Sequence, residues 1–160
     1  MKKDDQLPGD IPFVMSGVTN TGVVGYVSNP VAFFPKNSIT IDIFGNAFYR
    51  SYAYGGGDDT GAYWNEARPY SGNVLLFISA TISKALTGVY SYGNKLRSSR
   101  SLDITINLPT KNGEIDFDFI EEFVAELEAM RLAELEAYLE ATGLRDYTLT
   151  PPRDRGAKKI

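Results

Sequence analysis

The stretch DFDFIEEFVAELEAMRLAELEAYLEATG, residues 116–143, divides the chain into two different kinds of sequence. It is rich in Ala, Leu and Glu, which favour helices, and its acidic start suits the positive end of a helix dipole. Gly143 stands at its end, and glycine commonly terminates helices. The stretch therefore predicts one long helix within residues 113–143. At about 1.5 Å per residue, such a helix is about 40 Å long.

Apolar residues in this stretch form a stripe whose register shifts near Arg131. The stripe consists of Ile120, Phe123, Leu127, Met130, Leu132, Leu135 and Leu139. Two interpretations are equally open at this point. The helix either packs on the rest of the chain or pairs with another helix.

Residues 7–112 predict a β-rich body, because Tyr, Phe, Val, Ile and Thr are abundant and Gly, Asn, Pro and Ser interrupt them at short intervals. Short apolar or alternating runs predict strands at residues 11–15, 23–27, 38–43, 47–54 and 101–108. A 3.6-residue period predicts a helix from about Asn73 to Leu86. The segment Gly55–Asp59 is expected to be a flexible loop, and residues 144–160 a disordered polar tail.

The composition excludes several classes of function. The 160 residues include no cysteine and no histidine, which removes disulfides, thiolate chemistry, the usual triad base and the commonest zinc ligand. The first six residues lack the apolar segment of a signal peptide, and no run of about 18 apolar residues is present to span a membrane. These features indicate a cytoplasmic protein with no metal site.

The net charge of −4 is unevenly distributed. Residues 1–112 carry ten Lys and Arg against eight Asp and Glu, whereas residues 113–160 carry six against twelve. An acidic chain argues against nucleic-acid binding, because phosphate neutralisation requires Lys and Arg. The objection is weak here, since the acidic excess belongs to the predicted helix and tail.

Several clusters are candidates for chemistry. Asp58 and Asp59 beside a glycine run can form an acid–base pair or a cation site, although such residues are more typical of turns. Asp116 and Asp118 fit the start of a helix. An aromatic cluster suits either stacking on bases or sugars or the core of a sheet, and it consists of Tyr52, Tyr54, Tyr63, Trp64 and Tyr70. The sequence contains no GxGxxG, P-loop, HExxH or Asn-Pro-Pro-aromatic motif, so no cofactor is expected.

The segment YSYGNKLRSSRS, residues 90–101, is the most suggestive stretch of the body. Its Lys, Arg, Ser and Asn side chains are donors that suit phosphate oxygens, and Arg can hold guanine through two hydrogen bonds. A solvated basic loop is the alternative interpretation.

Several phrases in order give the chain a family resemblance. They are GDIPFV at 9–14, TNTGVVGYV at 19–27, NSITI at 37–41, GNAFY at 45–49, Tyr92-Gly93 through Arg100, and LPTKNGEIDF at 108–117. Each phrase is weak alone. Their order and spacing resemble the target-recognition half of the DNA-specificity (S) subunits of restriction–modification systems, and most closely those that partner fused restriction–methylation polypeptides.

The resemblance implies an α+β fold, in which a twisted, mixed, β-rich target-recognition domain at 7–112 precedes one long spacer and dimerisation helix at 113–143. In such subunits two recognition domains each read half of a bipartite double-stranded DNA site, and their long helices pack antiparallel. Methyltransferase or restriction–methyltransferase chains perform the chemistry, so the S subunit is not an enzyme. This chain has one recognition domain, and only eight residues precede Gly9 where the family usually has a strand and a helix. It is expected to be a half-subunit acting as a homodimer, or a fragment.

Carried over by position, the resemblance places the DNA-facing surface on three loops. Its residues are Ser16, Thr19, Asn20, Thr21, Tyr54, Asp58, Asp59, Thr60, Lys95, Arg97, Ser98, Ser99 and Arg100. The implied dimer face consists of Ile120, Phe123, Leu127, Met130, Leu135 and Leu139. Lys95, Arg97 and Arg100 are the strongest candidates for DNA contact.

Two other functions compete with sequence-specific DNA recognition. The first is an assembly protein that docks on a methyltransferase through its long helix without reading DNA. The second is a carbohydrate-binding or carboxylate hydrolase domain using Tyr63, Trp64, Asp58 and Asp59, which requires the Asp pair to lie at a suitable separation in a cleft.

Overall fold

The computed structural model describes residues 3–145. These residues form two compact units that divide between Val124 and Ala125. The division falls inside the long helix rather than at its start, because the first turns of the helix pack into the first unit. The expectation of an α+β fold with a long C-terminal helix is confirmed.

The first sheet of the first unit is mixed and has the strand order β2–β1–β6–β3. Its strands are β1 (Pro8–Val14), β2 (Val23–Val27), β3 (Phe33–Phe34) and β6 (Tyr54–Gly56). Strand β1 pairs antiparallel with β2 and parallel with β6. The predicted strands at 11–15 and 23–27 are therefore confirmed.

The second sheet is antiparallel, with the order β5–β4–β7. Its strands are β4 (Ser38–Asp42), β5 (Ala47–Arg50) and β7 (Thr60–Tyr63). The strand predicted at 38–43 is therefore present, and although alternating polar and apolar residues are typical of a half-buried strand, all five residues of β4 are buried. Ile39 and Ile41 join an apolar cluster with Leu75 and Leu86 of helix α1 (Gly72–Leu86). The polar residues of β4 alternate with these isoleucines and need partners of their own inside the protein.

Helix α1 (Gly72–Leu86) confirms the helix predicted at 73–86. Ser71 caps its start, since the Ser71 Oγ accepts a hydrogen bond of 3.1 Å from the amide of Val74. Helix α2 (Ser98–Ser101) is a single turn, and helix α3 spans Phe117–Thr142. Each helix among residues 3–145 is too short or too polar to span a bilayer.

The long helix starts later than predicted, because residues 110–115 form a hairpin of β8 (Thr110–Lys111) and β9 (Glu114–Ile115). Asn112 and Gly113 make its turn with φ angles of 55° and 84°. Consecutive positive φ angles favour the Asn-Gly pair, which the sequence supplies. The predicted tail lies outside the described residues from residue 146 onward.

The flexible loop predicted at Gly55–Asp59 is wrong for its first two residues. Gly55 and Gly56 belong to strand β6 and are buried. A Cβ on Gly55 would lie 2.5 Å from Pro30, and one on Gly56 would lie 2.6 Å from Phe34. Glycine is present here because neighbouring side chains occupy the space above the strand, not because the chain bends.

The strand predicted at 101–108 is also wrong. Ser101 ends helix α2, and residues 104–109 have no regular secondary structure. The alternation reflects a different arrangement, since Ile104 packs against the apolar cluster of the second sheet while Leu102 is 80% exposed. Alternating burial arises here without a neighbouring strand among the described residues.

Candidate functional site

The loop joining β1 to β2, called the first loop (residues 16–22), has an unusual backbone. Asn20 and Thr21 are both left-handed, with φ angles of 47° and 52°. This conformation is rare for a β-branched residue such as Thr21, and it costs on the order of 1–3 kcal/mol at a strained position. Thr19 and Asn20 are exposed, and Ser16 is half-buried. The surrounding residues must hold such a backbone in place.

Arg50, the last residue of β5, holds this backbone in place through hydrogen bonds from its guanidinium group. Its side chain is 1% exposed and its Nη2 donates to the carbonyl oxygen of Thr21 at 2.5 Å. The Nη1 donates to the Thr21 hydroxyl at 3.1 Å and to the Tyr52 hydroxyl at 3.2 Å. The Nε donates to the Thr40 hydroxyl of β4 at 3.0 Å. One guanidinium thus joins the second sheet to the left-handed residue of the first loop.

The buried charge of Arg50 has no carboxylate as an ion-pair partner in residues 3–145. Its guanidinium carbon lies 5.4 Å from the ring centre of Phe48 and 5.9 Å from that of Tyr54. Aromatic faces and oxygen dipoles therefore stabilise this cation. Since burying an unpaired charge is costly, each of these acceptors matters for the conformation that they share.

Asp42, at the end of β4, fixes the other side of the first loop. It is 4% exposed, and its Oδ2 accepts from the amide of Gly17 at 2.9 Å. Its Oδ1 accepts from the amides of Phe44 and Asn46, each at 2.9 Å. The carboxylate therefore ties the first loop to the turn that follows β4.

Two further loops converge on the backbone of Ile43. The second loop (residues 57–60) is held by the Ile43 amide, which donates to the carbonyl of Asp59 at 3.1 Å. The third loop (residues 95–101) is held by the Ile43 carbonyl, which accepts from the amide of Leu96 at 2.8 Å. Segments that are distant in sequence thus meet beside Asp42.

A polar cavity of about 190 Å³ lies between the second and third loops. Asp58, Asp59, Thr60 and Arg97 line it together with Asp42. The hydroxyl of Thr60 is buried and makes no hydrogen bond within the described part of the chain. The structure therefore brings together Asp58, Asp59 and Arg97, which lie in separate loops of the sequence. Asp42, which holds the first loop, lines the same cavity.

The basic residues of the third loop do not all share this cavity. Lys95 is half-buried, with its Nζ 4.9 Å from the ring centre of Tyr92. Ser99 and Arg100 are exposed, and Arg100 lines a separate cavity with Asp103. The side chain of Ser98 lies outside the described residues. Of the three cations, Arg97 is therefore the one placed at the polar cavity.

The expectation that Tyr54 lies on the DNA-facing surface is wrong, because this residue is buried. Its side chain is 0% exposed and its hydroxyl is 3.1 Å from that of Ser38. Burial raises the pKa of Tyr54, and the Ser38 hydrogen bond and the Arg50 charge only partly oppose this. Tyr54 is a core residue beneath the loops and presents no surface to a ligand.

An apolar groove of about 280 Å³ lies beside the polar cavity. Trp64 and Tyr70 line it with Ile78 and Ile104. Asp58 and Asp59 line the polar cavity instead. Of the four residues of the hydrolase interpretation, Asp58, Asp59 and Tyr63 thus line the polar cavity, whereas Trp64 lines the apolar groove alone.

The expected dimer face on α3 requires one correction. Ile120 is 0% exposed and belongs to the core of the first unit, so it is not available to a partner. Phe123 is 40% exposed, although it makes an edge-on contact with Phe77 at 6.0 Å between ring centres. In the second unit, Leu127, Met130 and Leu135 are exposed, and Leu139 is half-buried.

Sequence reasoning missed Arg50 and Asp42 as parts of the site. The available signal was the alternation of β4, whose polar residues were assumed to face solvent. If both faces of a strand are covered, each buried polar side chain needs a partner, and the nearest charged residues become candidates. The order of the strands and the packing of the sheets decide whether both faces of a strand are buried, and neither can be derived from local periodicity.

Residues 1–137 match the family described as the type I restriction modification DNA specificity domain. The match spans most of the chain, so the chain belongs to this family, and the resemblance drawn from its sequence phrases is confirmed.

One curated protein and one solved structure are similar to this chain. The type II restriction enzyme BgcI specificity subunit S.BcgI of Heyndrickxia coagulans is 30% identical over 132 residues, covering 80% of this chain and 38% of that protein. The crystal structure of the type I restriction-modification system S subunit from M. genitalium aligns with a TM-score of 0.46 and 18% identity, over 94% of this chain and 42% of that one. The chain thus spans less than half the length of either relative.

Proposed function

We propose that this chain recognises double-stranded DNA in a sequence-specific manner as a specificity half-subunit of a restriction–modification system. The observation that carries the proposal is the convergence of the second and third loops on Ile43, beside a cavity that is lined by Arg97, Asp58, Asp59 and Thr60. Membership of the DNA specificity domain family supports the same function. The chain itself performs no catalysis in this proposal.

The chemistry of the three loops suits base edges as well as phosphates. An Arg side chain can donate two hydrogen bonds to guanine, carboxylates accept from the cytosine amino group, and Asn pairs with adenine. Arg97, Asp58 and Asn20 offer these three groups on exposed side chains. Lys95 and Arg100 then serve to position the backbone through phosphate contacts.

The long helix supplies the second part of the proposal. Leu127, Met130 and Leu135 are exposed apolar residues on a helix that also carries an acidic excess. Pairing with the helix of a second copy would cover them and bring two recognition domains to a bipartite site. A methyltransferase or restriction–methyltransferase chain would then be directed to that site.

A randomised duplex library tests this function. Light scattering of the full chain at low salt, with and without the library, is expected to show a dimer that enriches one two-part motif. Binding should weaken steeply as salt rises, because the phosphate contacts release counterions. Enrichment of no motif by a well-folded dimer would contradict sequence-specific recognition.

An assembly role is the second candidate, and the exposed apolar residues of α3 are the observation that favours it. In that case the helix docks on a methyltransferase and the loops read nothing. Leu127→Asp should then abolish capture of a methyltransferase chain, whereas Arg97→Ala should leave capture unchanged and no duplex should be enriched by either protein.

A further inference from the structure

We infer that Arg50 is a positioning residue, which works with Asp42 to set the conformation of the first loop before DNA arrives and thereby decides which bases that loop can read. This inference rests on the proposed function. Arg50 is 1% and Asp42 is 4% exposed, and Asp42 also lines the polar cavity. Arg50 therefore acts through the loop rather than on a ligand.

The two anchors hold the loop at both ends of its strained segment. Asp42 accepts from the Gly17 amide where the loop begins, and Arg50 donates to the Thr21 carbonyl and hydroxyl where it closes. Between these points the left-handed Asn20 and Thr21 turn the chain. The backbone is therefore fixed by buried charges at two points, which leaves Thr19 and Asn20 presented to solvent.

Gly22 shows how closely the loop closes onto these anchors. It has a φ angle of 85°, and a Cβ there would lie 2.6 Å from the carbonyl oxygen of Met15 and 3.7 Å from the Arg50 Nη2. The Met15 amide also donates to the Gly22 carbonyl at 2.9 Å. A loop closed in this way loses little conformational freedom on binding, which favours affinity and fixes the direction of its side chains.

The guanidinium is suited to this role because it is planar and forked. Two of its nitrogens reach Thr21 while its Nε reaches Thr40 on the strand beneath. A Lys side chain keeps the charge but cannot make this set of bonds from fixed directions. Arg50→Lys therefore removes the positioning while it conserves charge and approximate volume.

Hydrogen exchange of the full chain, measured without DNA, tests the positioning directly. In Arg50→Lys, the amide of Thr21 is expected to exchange at least about tenfold faster while the amides of β4 and β5 keep their protection. Arg68→Lys is the matched control, because Arg68 is exposed and stacks on Phe117 at 4.6 Å. Unchanged exchange at Thr21, or an equal rise throughout β4 and β5, would overturn the inference.

Duplex selection with the same variants tests the consequence for recognition. Arg50→Lys should lose base preference over one contiguous block of the motif and keep it elsewhere, whereas a merely destabilised protein would bind the unchanged motif less. An unchanged pattern of preference refutes the inference even if overall affinity falls. If the parent chain enriches no motif, the proposed function fails, and the exchange experiment still decides whether Arg50 holds the loop.

Thr21→Val provides a second route should Arg50→Lys fail to fold. It removes the Thr21 hydroxyl, which accepts a hydrogen bond from the Arg50 Nη1, and it keeps the shape of this exposed side chain. Faster exchange confined to the first loop is again expected, and unchanged exchange there counts against the inference.

Discussion

The hydroxyl of Tyr63 donates a hydrogen bond of 2.6 Å to the hydroxyl of Ser101, joining the edge strand β7 to helix α2. Both residues line the apolar groove and the polar cavity, so the pair stands between them. Helix α2 has only four residues and cannot be stable by itself. Its position, and with it that of Arg97, depends on this tertiary contact and on the Leu96 amide.

Replacing Arg97 with Ala is expected to weaken DNA binding about tenfold and to leave the slope of log affinity against log salt nearly unchanged, because Arg97 is assigned to a base rather than to a phosphate. Titrations of the enriched duplex at several salt concentrations measure both quantities. Arg68→Ala is the control, because Arg68 stacks on Tyr70 and does not line the polar cavity. An effect of equal size in both variants would show that Arg97 has no special role.

Replacing either of two apolar residues of α3 with Ala should affect a different property of the protein. Ile120→Ala leaves a cavity at a fully buried site and is expected to reduce the free energy of unfolding by about 2–5 kcal/mol. Leu127 is 44% exposed, so Leu127→Ala should change that free energy little and weaken self-association instead. Urea unfolding and sedimentation at several protein concentrations separate the two effects. Self-association that is unaffected by Leu127→Ala argues against the proposed helix pairing.

Adding one methyl group to strand β6 should be destabilising. In Gly56→Ala the new Cβ would meet the Phe34 ring at 2.6 Å, and the overpacking is expected to reduce the free energy of unfolding by about 1–3 kcal/mol. Gly25→Ala is the matched control, since no atom lies within 4 Å of a Cβ there. Urea midpoints of the two variants should differ in this direction, and equal midpoints would show that Phe34 moves aside freely.

The raised pKa of Tyr54 predicts a loss of stability in alkali. The folded protein disfavours the phenolate, so this contribution is fully present below the usual tyrosine pKa of 10.0 and is lost as the pH rises through the higher pKa of the folded state. Unfolding free energies between about pH 8 and 11 should therefore fall less steeply in Tyr54→Phe than in the parent. Tyr26→Phe, at a 59% exposed residue, is expected to follow the parent curve. Parallel slopes in all three proteins would contradict the assignment.

Local patterns predicted the elements whose partners are adjacent in sequence. Helix α1 follows the N-cap residue Ser71, and its apolar residues keep a 3.6-residue period as far as Leu86. Its first and last residues can therefore be predicted without knowledge of the fold. The alternating residues at 104–108 gave the wrong element, because alternation records which side chains are buried and not whether a strand lies alongside.

The candidate site was less accessible to sequence reasoning. The exposed residues of the three loops could be nominated from composition and resemblance, but Tyr54 could not be distinguished from them. Its burial depends on Ser38 and Arg50, which approach it only when the two sheets meet. Long-range pairings of this kind leave no local periodicity, so Arg50 and Asp42 were not nominated either.

The hold of Ile43 on the second and third loops uses main-chain atoms alone. The identities of Asp58, Asp59 and Arg97 are therefore independent of the bonds that fasten their loops. Under the proposed function, the side chains that contact bases can therefore be exchanged without loss of the hydrogen bonds that hold their loops. A combinatorial library randomised at these three positions should yield many folded proteins, and in this proposal such substitutions change the target site while the fold is kept.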